Sequence, residues 1–256
     1  MDSHFLSGRF PLSFAGVFLS DDASTKLLVT SLFVVIGGII AAAIWFSLRA
    51  ARKRREALQQ IATQMGCSYE RNGADFRRQL GNNFHLFKLG SGRKLSNLLR
   101  GTCTLGEVVL FDYEYSEGSD ENSSTYYQTV AAFSFTDAPL PTFHLGAGQW
   151  WHKLGKLLGY KTVAFDTHPQ FSKRYALRGP DENAIRQFFR PAVLEYFQSL
   201  PEKPVWNLEA SAPWLLVFVP HLRYKPEGLP AFRDTVVALV NDVMNAAETR
   251  RSAQAR

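Results

Sequence analysis

The spacing of hydrophobic and polar positions changes along the chain. No charged residue falls between Lys26 and Arg49, and "LLVTSLFVVIGGIIAAAIWFSL", Leu27–Leu48, is uncharged throughout. At about 22 residues this run makes roughly 33 Å of helix, against a hydrocarbon core of about 30 Å. Backbone groups in lipid must be satisfied within their own segment, so the pattern predicts a transmembrane helix over residues 26–48. Trp45 falls near its end, where an indole sits at headgroup level. Within it, Gly37 with Ala41 and Gly38 with Ala42 have the small-xxx-small spacing that lets two spans approach. An oligomer through the span, or packing in a larger membrane complex, would use that face.

Beyond the span, "EALQQIATQMG" places Leu58, Ile61, Ala62 and Met65 at helical spacing up to Gly66. This predicts a basic juxtamembrane helix over 49–66. "ADFRRQL" is a second short helix. The texture then becomes strand-like in "FHLFKLG", "SNLLRGTCT", "GEVVLFDYEYS" and "TYYQTVAAFSF", separated by turn residues, which predicts an antiparallel meander. In "VVLFDYEY", Val109, Phe111, Tyr113 and Tyr115 share one face, expected to be buried. Val108, Leu110, Asp112 and Glu114 share the other. Further on, a short strand around Phe143–Leu145, a helix at "GQWWHKLGKLLG" and a strand at "KTVAFD" follow. "SKRYALRG" reads as a strand, and "PDENAIRQFFRPAVLEYFQSL" as a helix capped by Asp181 and interrupted at Pro191. "PVWNLEA" and "PWLLVFVPHLRY" form a hairpin-like pair, and "LPAFRDTVVALVNDVMNAAETRR" a closing amphipathic helix. Strands followed by helices without βαβ alternation predict an α+β domain over residues 67–250, between a short tail at 1–25 and a disordered end at 251–256.

Charge adds orientation. Arg49, Arg52, Lys53, Arg54 and Arg55 follow the span, whereas only Arg9 and Lys26 precede it, among Asp21 and Asp22. Lys and Arg beside a span stay on the cytoplasmic side, so the tail is expected outside and the domain in the cytoplasm. A signal peptide would carry its positive charge before a shorter core. The block is also a candidate surface for anionic lipid, worth about 1 kcal/mol per charge close to the membrane. The formal net charge of +6 and pI near 9.4 owe much to it, so they do not point to nucleic acid. Cys67 and Cys103 are the only cysteines and form no CxxC or Cys/His pattern.

Candidate chemistry is sparse, and no cofactor or metal is expected. "EGSDENSS" gathers Glu117, Asp120, Glu121 and Asn122 without the oxygen spacing of a calcium loop, and reads as a hairpin tip. "KLGSGRK", Lys88–Lys94, offers glycines and cations for an anion nest, but lacks Walker A spacing and reads as a turn. Asp166 and His168, with His144 and with Cys103 or Ser172 as nucleophile, are the alternative hydrolytic set. No GxSxG elbow or HExxH supports it. His85 and His144 lie beside aromatics and read as core residues; Trp150 and Trp151 read as helix packing.

The string "NLLRGTCTLGEVVLFDYEY…QTVAAFSF…LPTFHL", with "FDTHPQFSKRYALRGPDENAIRQFF", resembles an uncharacterised group of bacterial single-span, membrane-anchored proteins. The shared elements are Phe111–Tyr113, Thr129–Val130, Leu140–Leu145, His168–Ser172 and Tyr175–Gly179. The resemblance covers most of residues 95–190 and implies an inner-membrane location, with no activity attached. The expected function is a membrane-anchored scaffold or sensor that binds a protein partner or the lipid surface.

Overall fold

The computed structural model describes residues 23–118, 122–135, 140–147 and 160–248. The predicted helix at 148–159 and both chain ends lie outside them, as do Asp120, Glu121, Trp150, Trp151 and His152. The chain divides into two compact units, Met1–Arg52 and Lys53–Arg256.

In the first unit the described structure is helical. Helix α1 spans Ala23–Gln64, so the predicted span and juxtamembrane helix are one unbroken element. Leu27, Phe33, Ile39 and Phe46 are exposed, and no side chain of Lys26–Arg52 is buried. A helix this long and apolar near the N-terminus is able to cross a membrane.

The second unit starts inside α1, because the last turns of that helix belong to the domain. Leu58 and Ala62 are almost fully buried, and with Arg54 they recur every four residues on one helix face. Met65 and Ile61 pack beside them. The helix stops at Gly66, whose φ of 65° takes the left-handed conformation that closes a helix.

Then come β1 (Ser68–Asn72), α2 (Ala74–Leu80), β2 (Ser91–Cys103), β3 (Gly106–Glu117), β4 (Ser124–Ser134) and β5 (Phe143–Ala147). After these follow α3 (Pro169–Arg174), β6 (Tyr175–Arg178), α4 (Glu182–Phe188), α5 (Pro191–Ser199), β7 (Asn207–Ser211), β8 (Trp214–Phe218) and α6 (Leu229–Glu248). All strands join one eight-stranded sheet in the order β1-β2-β3-β4-β8-β7-β5-β6, with every pairing antiparallel. The domain is therefore α+β, with strands β2–β4 and the β7–β8 hairpin where the sequence pattern puts them, and with β1 as an edge strand the pattern did not predict. Asp181 caps α4 by accepting from the Ala184 N–H at 3.0 Å, and Pro191 restarts the chain as α5.

Each face of the sheet has its own core. On one lie the end of α1, α3 to α6, and side chains such as Val108, Leu110, Phe133, Leu145, Leu208 and Val217. On the other, α2 and the segment around Phe84–Leu89 cover Val109, Phe111, Tyr113, Val130, Leu216 and Phe218. This double cover accounts for two departures from expectation. Both faces of β3 are buried, so Val108, Leu110 and Asp112 do not face solvent. "FHLFKLG" is a 3-10 turn at Leu86–Lys88 rather than a strand; its backbone is used to cap buried groups beneath it. Two further segments differ. "SKRYALRG" begins as helix α3 before it becomes β6, and "KTVAFD" contributes an isolated bridge, Thr162 to Arg178.

Candidate functional site

The densest polar cluster lies on the helix-covered face, around Asp112 of β3. Its carboxylate accepts from Arg54 Nε at 3.1 Å and Nη2 at 2.9 Å, from Arg223 Nη2 at 2.9 Å and from Asn97 Nδ2 at 2.9 Å. Thr129 Oγ1 stands at 3.5 Å. Arg54 Nη2 also donates to the Tyr224 carbonyl at 2.9 Å, and Tyr69 Oη donates to Asn97 Oδ1 at 2.8 Å. The local fold builds this arrangement. The β2–β3 register shifts between Ser96 and Leu99, and Asn97 there has φ 55°, a bulge that turns its amide toward Asp112. Two guanidiniums meet one carboxylate, so the cluster carries excess positive charge.

This corrects one expectation for the basic block. Arg54 is not a lipid-facing member of it: its side chain is only 17% exposed and its fork is held by Asp112. A bidentate pair of this kind fixes the guanidinium in place. Arg49, Arg52 and Lys53 are exposed, and Arg55 is half-buried. Gly37 and Gly38 have open space where a Cβ would be, with Ala41 and Ala42 on the same exposed helix.

The opposite face holds a second buried carboxylate, Glu209 of β7, with no exposure. Both its oxygens accept from the Leu86 N–H at 3.1 Å, and His144 Nδ1 lies 3.4 Å from Oε2. His144 and Glu209 are cross-strand partners, and the His85 ring meets His144 edge-on at 6.1 Å. Burial by itself would push the Glu209 carboxyl up. His144, the His85 ring and the Leu86 N–H outweigh it and hold the group below the ordinary carboxylate value. Burial lowers His85 to about 4 despite the pull of Glu209. On the same face, Asn207 Nδ2 and Oδ1, Gln128 Nε2 and Tyr113 Oη are buried with no hydrogen-bond partner among the described residues. Tyr113 is pushed up to about 12, mainly by burial.

The alternative hydrolytic set does not come together. His144 is engaged with Glu209 inside the sheet. His168 stands at the start of α3 without a side-chain capping bond, its Nδ1 2.9 Å from Thr167 Oγ1 and its Nε2 3.9 Å from Glu195. Asp166 is exposed, and no hydrogen bond or ion pair joins it to His168. Ser172 Oγ accepts from the Phe165 N–H, a local structural role. Cys103 is a free thiol, partly buried. No group of three or more metal-ligating side chains occurs among the described residues.

"KLGSGRK" has the wrong polarity for an anion. Arg93 turns back and donates to the carbonyls of Lys88, Leu89 and Gly90, so the loop offers oxygens to its own cation. Gly90 is required by packing: its φ is 49°, and a Cβ would meet the Ser116 carbonyl oxygen at 2.1 Å.

Glu209 and Arg223 escaped the sequence reading. A signal existed in "NLEAS", where Asn207, Glu209 and Ser211 alternate on one strand face. A polar stripe of this kind reads as solvent-facing until a covering layer is known.

The architecture and the long apolar helix define the class: an α+β domain on one antiparallel sheet, following a helix able to cross a membrane. No family model and no curated protein matches the chain. A solved structure similar to it is the crystal structure of the mycobacterial trehalose monomycolate transport factor A, TtfA. The two share 14% identity at a TM-score of 0.49, over 76% of this chain and 96% of that one.

Proposed function

We propose that the protein is a single-span, bacterial inner-membrane protein with its N-terminal tail outside and its α+β domain in the cytoplasm. It acts by binding, as a scaffold or sensor for a protein partner or for the membrane surface. The observation that carries this reading is α1 itself. The same helix presents an uncharged, exposed Leu27–Leu48 and then, from Arg54 onward, becomes a wall of the domain. Apolar surface of that extent needs a lipid or protein environment. The cations that follow it favour retention on the cytoplasmic side. The resemblance of residues 95–190 to membrane-anchored bacterial proteins points the same way.

Carbonate extraction and protease treatment of spheroplasts test it. The full-length chain should stay in the membrane fraction, with its domain protected until the inner membrane is lysed. Release by carbonate, or digestion of the domain in intact spheroplasts, overturns the reading. Recovery of no partner from detergent-solubilised membranes, together with no preference for anionic bilayers, would remove the binding role. Packing through the Gly37, Gly38, Ala41 and Ala42 face is tested by cysteine crosslinking within the span.

A further inference from the structure

We propose that the domain has a phosphate-binding corner built from Arg55, Arg71 and Arg223 around the Arg54–Asp112 pair, and that its ligand is the phosphate of an acidic phospholipid headgroup. The proposal deepens the binding role given above and rests on it.

The corner draws on separate elements. Arg54 and Arg55 come from α1, Arg71 from β1 and Arg223 from the connection between β8 and α6. On β1, Tyr69 and Arg71 share a face. The register, Glu70 to Leu98 and Asn72 to Ser96, sets Arg71 opposite Asn97, the residue that joins Tyr69 to Asp112. Burial pushes the Tyr69 hydroxyl up, opposed by Arg55, Arg71 and Arg54 and reinforced by Asp112. Two guanidiniums hold the one carboxylate, with Arg55 next to Arg54 on α1 and Arg71 opposite Asn97 on β1.

Asp112 is consumed by Arg54 and Arg223. Among the described residues, neither Arg55 nor Arg71 has a carboxylate within ion-pair distance, although Arg71 is exposed and Arg55 half-buried. The next acid on that face of β3, Glu114, is paired with Lys94 at 3.6 Å. Arg223 has its Nε buried without a hydrogen-bond partner among the described residues, and its guanidinium lies 5.3 Å from the centroid of the exposed Tyr127 ring. Like charges held this close by a rigid frame call for an anion. Guanidinium forks match phosphate oxygens in geometry as well as charge. In the sequence, Arg54 and Arg55 follow closely on the uncharged run Leu27–Leu48, and cations next to such a run favour lipid phosphate over phosphate from solution.

The test uses the full-length chain in nanodiscs of phosphatidylcholine alone and with added phosphatidylglycerol, reading the thermal midpoint of the domain. A third arm adds inorganic phosphate to the neutral discs at constant ionic strength. The site variant is R55Q/R71Q, which leaves the Asp112 cluster intact. K161Q/K173Q removes the same charge from exposed positions elsewhere. Phosphatidylglycerol should raise the midpoint of the wild type and of K161Q/K173Q, and R55Q/R71Q should lose most of that rise. At about 1 kcal/mol per charge, losing two charges weakens binding about 30-fold. If inorganic phosphate reproduces the rise, the corner recognises phosphate as such; if only the lipid does, the headgroup is the ligand. An equal rise in all proteins, or none in the wild type, overturns the site. Incorporation of the wild type into the discs reports on the anchor separately, so a chain that inserts without a shift refutes only this corner.

Discussion

Asp112 and Glu209 are buried carboxylates on opposite faces of the same sheet, and the protein compensates them differently. Asp112 is ringed by charged donors from α1 and the β8–α6 connection, with Asn97 completing the set. Glu209 has one backbone N–H and a histidine, within a layer that leaves other polar atoms without described partners. The first arrangement is a strong tie between distant parts of the chain. The second is sensitive to protons, because His85 beside it can change charge. Burial of a carboxylate alone therefore does not define its role; the kind of donor facing it does.

Asp112→Ala should break this contrast most severely. It leaves Arg54 and Arg223 facing each other in a poorly solvated place, and removing one partner of such a pair costs about 3–5 kcal/mol. Denaturant unfolding of the full-length chain in micelles measures it. Asp112→Asn should cost less, since an amide still accepts from one fork.

The opposite face should respond to pH. His85 is neutral in the fold, with its folded pKa near 4, below its unfolded value of about 6.5. The unfolded chain binds the proton first as pH falls. Stability is therefore full above about pH 6.5 and declines by roughly 2–4 kcal/mol toward pH 4. His85→Leu should flatten that decline in unfolding measured across the window. Glu209, held low in the fold, adds stability above the unfolded carboxylate value of about 4.3 that is lost as pH falls below it.

Glu209→Gln should cost about 1–3 kcal/mol at neutral pH, the penalty for impairing a buried charge-assisted hydrogen bond, and should remove the acid limb. The smallest effect is expected from Tyr69→Phe. Loss of the bond to Asn97 should cost about 1 kcal/mol in the same unfolding assay, leaving the Asp112 pairings in place.

Much of this contrast was not visible in the sequence, for physical reasons. Period-two and period-3.6 patterns depend on local burial, so the long apolar helix, strands β2–β4, the β7–β8 hairpin and α6 were legible. Asp112 and Glu209 sit in alternating strands, where a polar residue opposite the apolar face gives no sign of being buried. What buries them is contributed from far along the chain: Arg54 lies 58 residues from Asp112, and Leu86 lies 123 from Glu209. The consecutive residues Phe84, His85, Leu86 and Phe87 are all buried, a run that mimics a strand covered on both faces. Arg54 looked like any other member of the basic block, since nothing in "RKRR" marks the residue whose helix face matches Leu58 and Ala62.

The end of α1 is closed by the other end of the protein: Arg233, on the final helix, donates to the Met65 carbonyl at 3.4 Å. During synthesis α1 emerges well before α6. The β1–β4 meander can assemble early, but the wall formed by Leu58 and Ala62 has no complete partner until α6 has left the ribosome. A nascent molecule must therefore wait with that seam open, and a premature stop before Leu229 would leave a fragment whose core never closes.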